Sequence, residues 1–337
     1  MNSKHGKYAA ILGLLIILAS CEKIAFNPPT SSKQAVFEYA WTSIDEKYAF
    51  FELKNIDWDS VYLVYKPQIS ESMSDEAFFD ILSQMIAVLR DGHSGLNSFT
   101  NAYKNVVFFI NSPENFDYRL ITDHYFGGWG NYTAAFQHTA IKNGRIAYIY
   151  YESFSSSFNH SDVAYLIDLY SGCDGMIIDV RNNFGGAVDN VYKLASHFTN
   201  ENKDVFGSVM KSGSGHNDFS SLVISELKPE EPYWNKPVCV LTNRKTYSAG
   251  SVFTLVMKEL NNVTVIGDTT GGGLGLPIGT ELPNGWQIHY AGSQILSVSG
   301  VCYELGIPPH VQIHCTREDA DNGLDSIIEK ACEIMLQ

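Results

Sequence analysis

The sequence predicts an α/β protein with a largely parallel sheet, preceded by a small helical region. Two observations carry this. From about residue 140, short apolar runs alternate with amphipathic stretches, the order expected of strands and crossover helices. Before that, apolar residues recur at helical spacing in residues 34–53 and 75–89.

The elements follow in order. Residues 34–53 place Val36, Phe37, Ala40, Trp41, Ile44 and Tyr48 on one helical face. Residues 75–89 repeat the pattern with Phe78, Ile81, Leu82, Met85, Ile86 and Leu89; Asp75 and Glu76 open that helix and Arg90 follows it, as the helix dipole favours. Arg145 to Tyr151 reads as a strand, Asp162 to Tyr170 as a helix, Gly175 to Val180 as a buried strand and Ala187 to Phe198 as a helix. Pro237 to Leu241 is a strand, Ser248 to Leu260 a helix and Val263 to Ile266 a strand. A glycine-rich stretch, Gly271 to Gly279, and strand candidates in 286–298 come next, and Gly323 to Met335 closes the chain as a helix.

Composition narrows the function classes. Hydrophobic residues make up 45% of the 337 residues and aromatics 13%, enough for one large folded domain or two modest ones. The net charge is −14 and no basic stripe occurs, which excludes a nucleic-acid binder that works through phosphate contacts. Five cysteines follow Cys21 (Cys173, Cys239, Cys302, Cys315, Cys332); their spacing matches no metal or redox motif, and no cofactor is expected.

The first residues read as an address. Lys4 and Lys7 precede the apolar run Ala9 to Ala19, which ends in Leu18-Ala19-Ser20-Cys21. A positive start, a short apolar stretch and small residues before a cut site make a signal peptide, too short for a transmembrane helix. Leu-Ala-Ser-Cys looks like a bacterial lipobox, which implies lipidation of Cys21, a membrane anchor and an extracytoplasmic place in the cell envelope. Pro28-Pro29-Thr30-Ser31-Ser32 reads as the tether. The expected organisation is a signal peptide over 1–20, a lipidated tether over 21–33, the helical region over 34–96, an aromatic-rich insert over 97–140 and the α/β core over 141–337.

The segment Asn243 to Lys258 carries the first sign of chemistry. A strand, a small-residue turn at Ser248-Ala249-Gly250-Ser251 and a helix would present a serine hydroxyl at a helix N-terminus, where free N–H groups favour developing negative charge. Taken alone, such a serine is equally a helix N-cap. Three more motifs accompany it: Asp91-Gly92-His93-Ser94; Asp179-Val180-Arg181-Asn182-Asn183-Phe184-Gly185-Gly186; and Glu304-Leu305-Gly306-Ile307-Pro308-Pro309-His310.

With Thr246-Tyr247-Ser248-Ala249, these motifs resemble, in order, those of the carboxyl-terminal-processing (tail-specific) serine peptidase family, nearest its tricorn-core and retinoid-binding-protein branch. The resemblance covers roughly residues 34–336. It implies a crotonase/caseinolytic-peptidase-like superhelical core and a peptide or protein substrate. It further implies Ser248 as nucleophile, His93 as its base and Glu304 as the group that orients the imidazole. Gly185 or Gly186, with the N–H of Ala249, would form an oxyanion hole. Asp179 and Arg181 are expected to hold their loop rather than to act in chemistry.

The family's other branch pairs serine with lysine. Here Lys258 alone follows the serine before Lys330, about ten residues on along the helix that Ser248 opens, so the histidine mechanism is preferred. Ser251 stands where the family often has Glu, and His310 where Asp is common. The fifty or so residues after Ser94 are too few for a PDZ domain. Aromatic residues of the insert, among them Tyr103, Phe108, Phe109, Phe116, Tyr118 and Trp129, are candidates for substrate walls or for ordinary core. Two function classes stand: a lipid-anchored serine endopeptidase, or a non-catalytic protein on the same fold that binds a hydrophobic ligand or a peptide. The sequence does not give the oligomeric state.

Overall fold

The structure is a computed structural model that describes residues 32–106 and 112–337. The signal peptide, Cys21 and most of the tether, together with Phe108 and Phe109, lie outside the described residues.

In chain order the elements are α1 (Lys33–Lys47), α2 (Trp58–Tyr65), α3 (Asp75–Ala87), β1 (Gly95–Asn97), β2 (Ala102–Lys104), α4 (Tyr118–His124), β3 (Asn131–Thr133), β4 (Phe136–Ile141) and β5 (Ile146–Tyr150). Then come α5 (His160–Leu169), β6 (Gly175–Asp179), α6 (Val188–Ala195), β7 (Lys203–Met210), β8 (Val223–Leu227), β9 (Val238–Thr242), α7 (Ala249–Lys258) and β10 (Val263–Gly267). The chain ends with β11 (Pro277–Glu281), β12 (Gln287–Ala291), β13 (Ser293–Leu296), β14 (Val311–Gln312), α8 (Arg317–Asp321) and α9 (Ser326–Leu336).

The main sheet has seven strands in the order β14-β10-β9-β6-β5-β4-β3. Pairing from β14 through β5 is parallel, and the β3–β4 hairpin adds two antiparallel strands. Strands β5, β6 and β9 are buried along their whole length, which is why they read as unbroken apolar runs rather than alternating ones. One face of the sheet packs against α5, α6 and α7 through residues such as Val163, Leu194, Phe253 and Val256. The other is covered by α9 through Ile327, Ile328 and Ala331, and by Ile121 and Phe126 of the insert.

The N-terminal helices form a second core that is not contiguous in sequence. Val36, Phe37, Ile44, Phe78, Leu82 and Ile86 pack with Leu96, Trp286, Ile288 and Tyr290. The last four belong to the neighbourhood of a four-stranded antiparallel sheet, β11-β12-β1-β2, which combines strands from both ends of the chain. Helices α1 and α3 are started by Ser32 and Ser74, whose side chains accept the N–H groups of Ala35 and Ala77. A third sheet, β13-β7-β8, is antiparallel.

The carboxyl end of β6 is tied to the closing helix by ions rather than by apolar contact. Arg181 is fully buried and bonds both oxygens of Asp179 and both of Asp325, the N-cap of α9. Phe116 lies on the guanidinium at 5.2 Å and Tyr148 donates to Asp179 at 2.9 Å. Removing the cation leaves two buried carboxylates unpaired, so Arg181→Leu should cost about 3–5 kcal/mol in a urea unfolding titration. A loss below 1 kcal/mol would show that the network adds little to the fold.

Candidate active site

The loop after α3 shapes itself. Arg90 adopts a left-handed backbone at φ 48°, and the chain then turns so that Asp91 Oδ1 accepts the His93 N–H at 2.8 Å. Ser94 is buried and closes the same turn by donating its hydroxyl to the Asp91 carbonyl at 2.7 Å. An aspartate, a small residue, a histidine and a hydroxyl in that order therefore make a turn that sends only the imidazole outward.

The serine comes from the other core. After β9, Thr246 Oγ1 donates to the Val180 carbonyl and accepts the Asn243 N–H, so the threonine pins the turn to the neighbouring strand end. Asn183 accepts the Tyr247 N–H on its carbonyl and spends its side-chain oxygen on the Gly185 N–H, at 3.0 Å. Held this way, Ser248 takes φ 54° and ψ −123°, a conformation that L-residues avoid. A strained serine between a strand and a helix is a device for exposing its hydroxyl.

That hydroxyl does not cap α7. It meets His93 Nε2 at 3.0 Å, across 155 residues of sequence. Both residues are partly exposed, while Asp91, Tyr247 and Ala249 around them are buried. Burial holds the His93 pKa below its usual 6.5; the Asp91 charge opposes this, and Lys104 and Lys54 add to it. The ring is therefore neutral at pH 7 and able to accept a proton. Tyr247 lies against it at 5.1 Å between ring centres.

Glu304 is not brought into hydrogen-bond contact with His93. Its Oε2 accepts the N–H groups of Leu274 and Gly275 at 2.7 and 3.1 Å, and its Oε1 faces Lys54 at 3.7 Å. His93 Nδ1 is buried and has no hydrogen-bond partner among the described residues. The Gly275 carbonyl lies near enough to the ring to favour its protonated form, so Glu304 reaches the imidazole through the loop it fastens. The glycine loop between them is packed backbone to backbone. Gly272, at φ 79°, accepts the Ser248 N–H at 3.0 Å, and a Cβ there would stand 1.8 Å from the Glu304 carbonyl oxygen.

The three residues expected at the oxyanion position differ in availability. The Gly185 N–H is already taken by Asn183. What Gly185 contributes is the missing side chain: a Cβ there would lie 2.8 Å from Ser248 Cβ and 2.9 Å from the Ala249 nitrogen. Ala249 opens α7, so its N–H belongs to the free first turn of the helix. Gly186 packs at φ 140° against Phe154 and Ser155.

The remaining positions have structural work. Lys258 donates to the Pro308 carbonyl at the far end of α7, about 15 Å along the helix from Ser248 by helical rise. Ser251 is buried and bonds Thr246 and Thr270. His310 pairs with Val265 through its N–H and its Nδ1, on the edge of β10. The sequence did not point to Lys54, which has no motif, or to Asp91 as a charged partner, although Asp91 stands inside a motif.

The comparisons agree with this architecture. The sequence model of peptidase family S41 matches residues 145–313, and that of the tricorn protease C1 domain matches 29–87. A crystal structure of a candidate peptidase from Parabacteroides merdae is 38% identical and superposes with a TM-score of 0.87 over 91% of this chain and 98% of that one. Mature CPAF shares the fold at a TM-score of 0.66 and 12% identity, over 90% of this chain and 96% of its own. The carboxy-terminal processing protease CtpA of Bacillus subtilis is 26% identical over 178 residues, 52% of this chain but only 36% of CtpA.

Gly185→Ala tests the close approach. The added methyl would press on Ser248 Cβ and the Ala249 nitrogen at an unfavourable φ of 103°. The variant should fold and react with a fluorophosphonate about 10²-fold more slowly at Ser248, since small misplacements at a reacting centre cost that much. An unchanged labelling rate would mean that the space above Ala249 is not used.

Proposed function

The chain belongs to peptidase family S41, and on that premise we propose that it is a serine endopeptidase that cleaves peptide bonds through an acyl-enzyme on Ser248. The observation that carries the reading is the 3.0 Å hydrogen bond from a strained, uncapped serine to a neutral histidine. A protein that only binds on this fold has no need of that strain, which favours catalysis over the non-catalytic alternative.

In this reading His93 Nε2 takes the Ser248 proton as the oxygen attacks the substrate carbonyl. The negative charge that develops on the carbonyl oxygen meets the Ala249 N–H at the positive end of α7, with Gly186 N–H as the second donor. His93 then gives its proton to the departing amine, and water, activated by the same ring, releases the acyl group. Glu304 steadies the imidazolium through the Gly275 loop rather than by direct contact. No metal or cofactor enters these steps.

We further propose an extracytoplasmic, lipid-anchored location. It is supported by Lys4, Lys7, the apolar run and Leu18-Ala19-Ser20-Cys21. Among the described residues no helix is long and apolar enough to cross a membrane.

Ser248→Ala and His93→Ala should each lower peptide hydrolysis on the order of 10⁴-fold or more, while Glu304→Gln costs less, because nucleophile and base remain. The rate kcat/KM should fall as pH drops through a value below 6.5, where the His93 ring gains a proton. Peptidase activity that survives Ser248→Ala places the chemistry elsewhere. For the anchor, the intact mass of the native mature protein should include acyl chains on Cys21; a mass without them excludes the lipid.

A further inference from the structure

Behind His93 lies a cluster of buried ions, two of them motif carboxylates and the third a lysine that no motif marks. Lys54 lies in the turn between α1 and α2, and its side chain is only 4% exposed. The ammonium stands 3.1 Å from Asp91 Oδ2 and 3.7 Å from Glu304 Oε1, and donates to the Arg90 carbonyl at 3.3 Å. The rings of Tyr48 and Phe50 flank it at 5.7 and 5.5 Å. Tyr48 also donates to Asp91 Oδ2 at 2.8 Å. Asp91 and Glu304 are 1% and 3% exposed, so neither carboxyl is solvated by bulk water.

Each carboxylate leads to the imidazole by a different path. Asp91 holds the His93 backbone N–H, and Glu304 holds the Gly275 loop whose carbonyl faces the ring. Two carboxylates this deep cannot both stay ionised without a cation, and Lys54 is the ammonium placed between them. Resting on the reading of Ser248 and His93 as a catalytic pair, we propose that Lys54 is a positioning residue: the buried counter-ion that keeps Asp91 and Glu304 together and so fixes the His93 ring against Ser248.

Lys54 and ionised Asp91 compensate each other, and Glu304 takes up a proton more readily than an ordinary carboxyl. Burial and the Asp91 charge push Glu304 up to about 8, against the pull of Lys54. Burial also works against ionised Asp91, but Lys54, His93 and its hydrogen bonds outweigh it and hold Asp91 below the usual carboxylate range. The other titratable or charged groups that face the cluster are Tyr48 from the end of α1, Tyr247 from the serine turn, Cys302 beside Glu304, Lys104 from β2 and His289 from β12. The Arg90 guanidinium is turned onto the Lys54 carbonyl. Lys54 is thus the cation that separates the two carboxylates.

The test compares Lys54→Met with Lys54→Arg, which keeps the charge, in the otherwise intact protein. The first readout is the NMR titration of the His93 ring, identified by its loss in His93→Gln; the second is the pH profile of kcat/KM. Removing the cation should raise the His93 titration and the acid limb of the profile by roughly one pH unit. It should also lower kcat/KM at least about tenfold, the cost of a displaced base. Lys54→Arg should titrate close to the parent. If Lys54→Met does not fold, the pair Lys54→Met/Glu304→Gln is read against Glu304→Gln alone by the same titration. A His93 titration that does not move when the cation is lost, in either comparison, overturns the proposal. The titration needs no turnover, so a parent protein without peptidase activity would count against the serine reading and leave the Lys54 test standing.

Discussion

The hydrogen bond between Ser248 and His93 joins the two cores of this protein, and much of the rest serves to make it. The histidine is carried by a loop of the helical core, the serine by the strand–helix turn of the main sheet. Neither core holds both. The turn at Ser248 is expensive: a left-handed serine costs of order 1–3 kcal/mol and persists only where its surroundings leave no alternative. Those surroundings are named residues. Thr246 ties the turn to β6, Asn183 holds Tyr247 from the adjacent loop, and Gly272 accepts the Ser248 N–H from below.

The same constraint explains where charge is buried. A neutral imidazole at a protein surface drifts among rotamers, and here its backbone is gripped by Asp91. A gripping carboxylate must be buried to stay in place, and a buried carboxylate needs a cation. Lys54 answers that need and brings Glu304 with it. A similar solution recurs beneath the sheet, where Arg181 stands between Asp179 and Asp325. In both places a buried cation stands between two carboxyl groups from distant parts of the chain.

Much of the α/β core was legible because its strands are buried on both faces. Gly175 to Val180 and Pro237 to Leu241 read as apolar runs for that reason, and β6 and β9 fall on them. Strands β7, β8 and β11 escaped notice because they are partly exposed and carry Asp204, Glu226 and Glu281 among their apolar residues. The mixing of Leu96 with Trp286 and Ile288 in one core was not legible at all, since strand pairing across the length of a chain leaves no local pattern. At the candidate site, Ser248 and His93 were legible as candidates because their turns need particular residue types in a fixed order. Glu304 was found for its motif, but the sequence could not tell a direct contact with the imidazole from one relayed through Gly275. A single lysine such as Lys54, on a connecting turn, looks like any surface lysine until the fold closes over it.

In the proposed mechanism the strained turn gives Ser248 to His93 while its helix N-terminus receives the charge of the reaction. A crystal structure of the protein with a peptide boronate tests it most directly, because the tetrahedral boron stands where the reacting carbon would. The expected complex has a bond from boron to Ser248 Oγ, one boronate oxygen about 3 Å from the Ala249 nitrogen, and His93 Nε2 still within hydrogen-bond reach. A boronate bound to another residue, or one on Ser248 whose oxygens all turn away from Ala249, would contradict it.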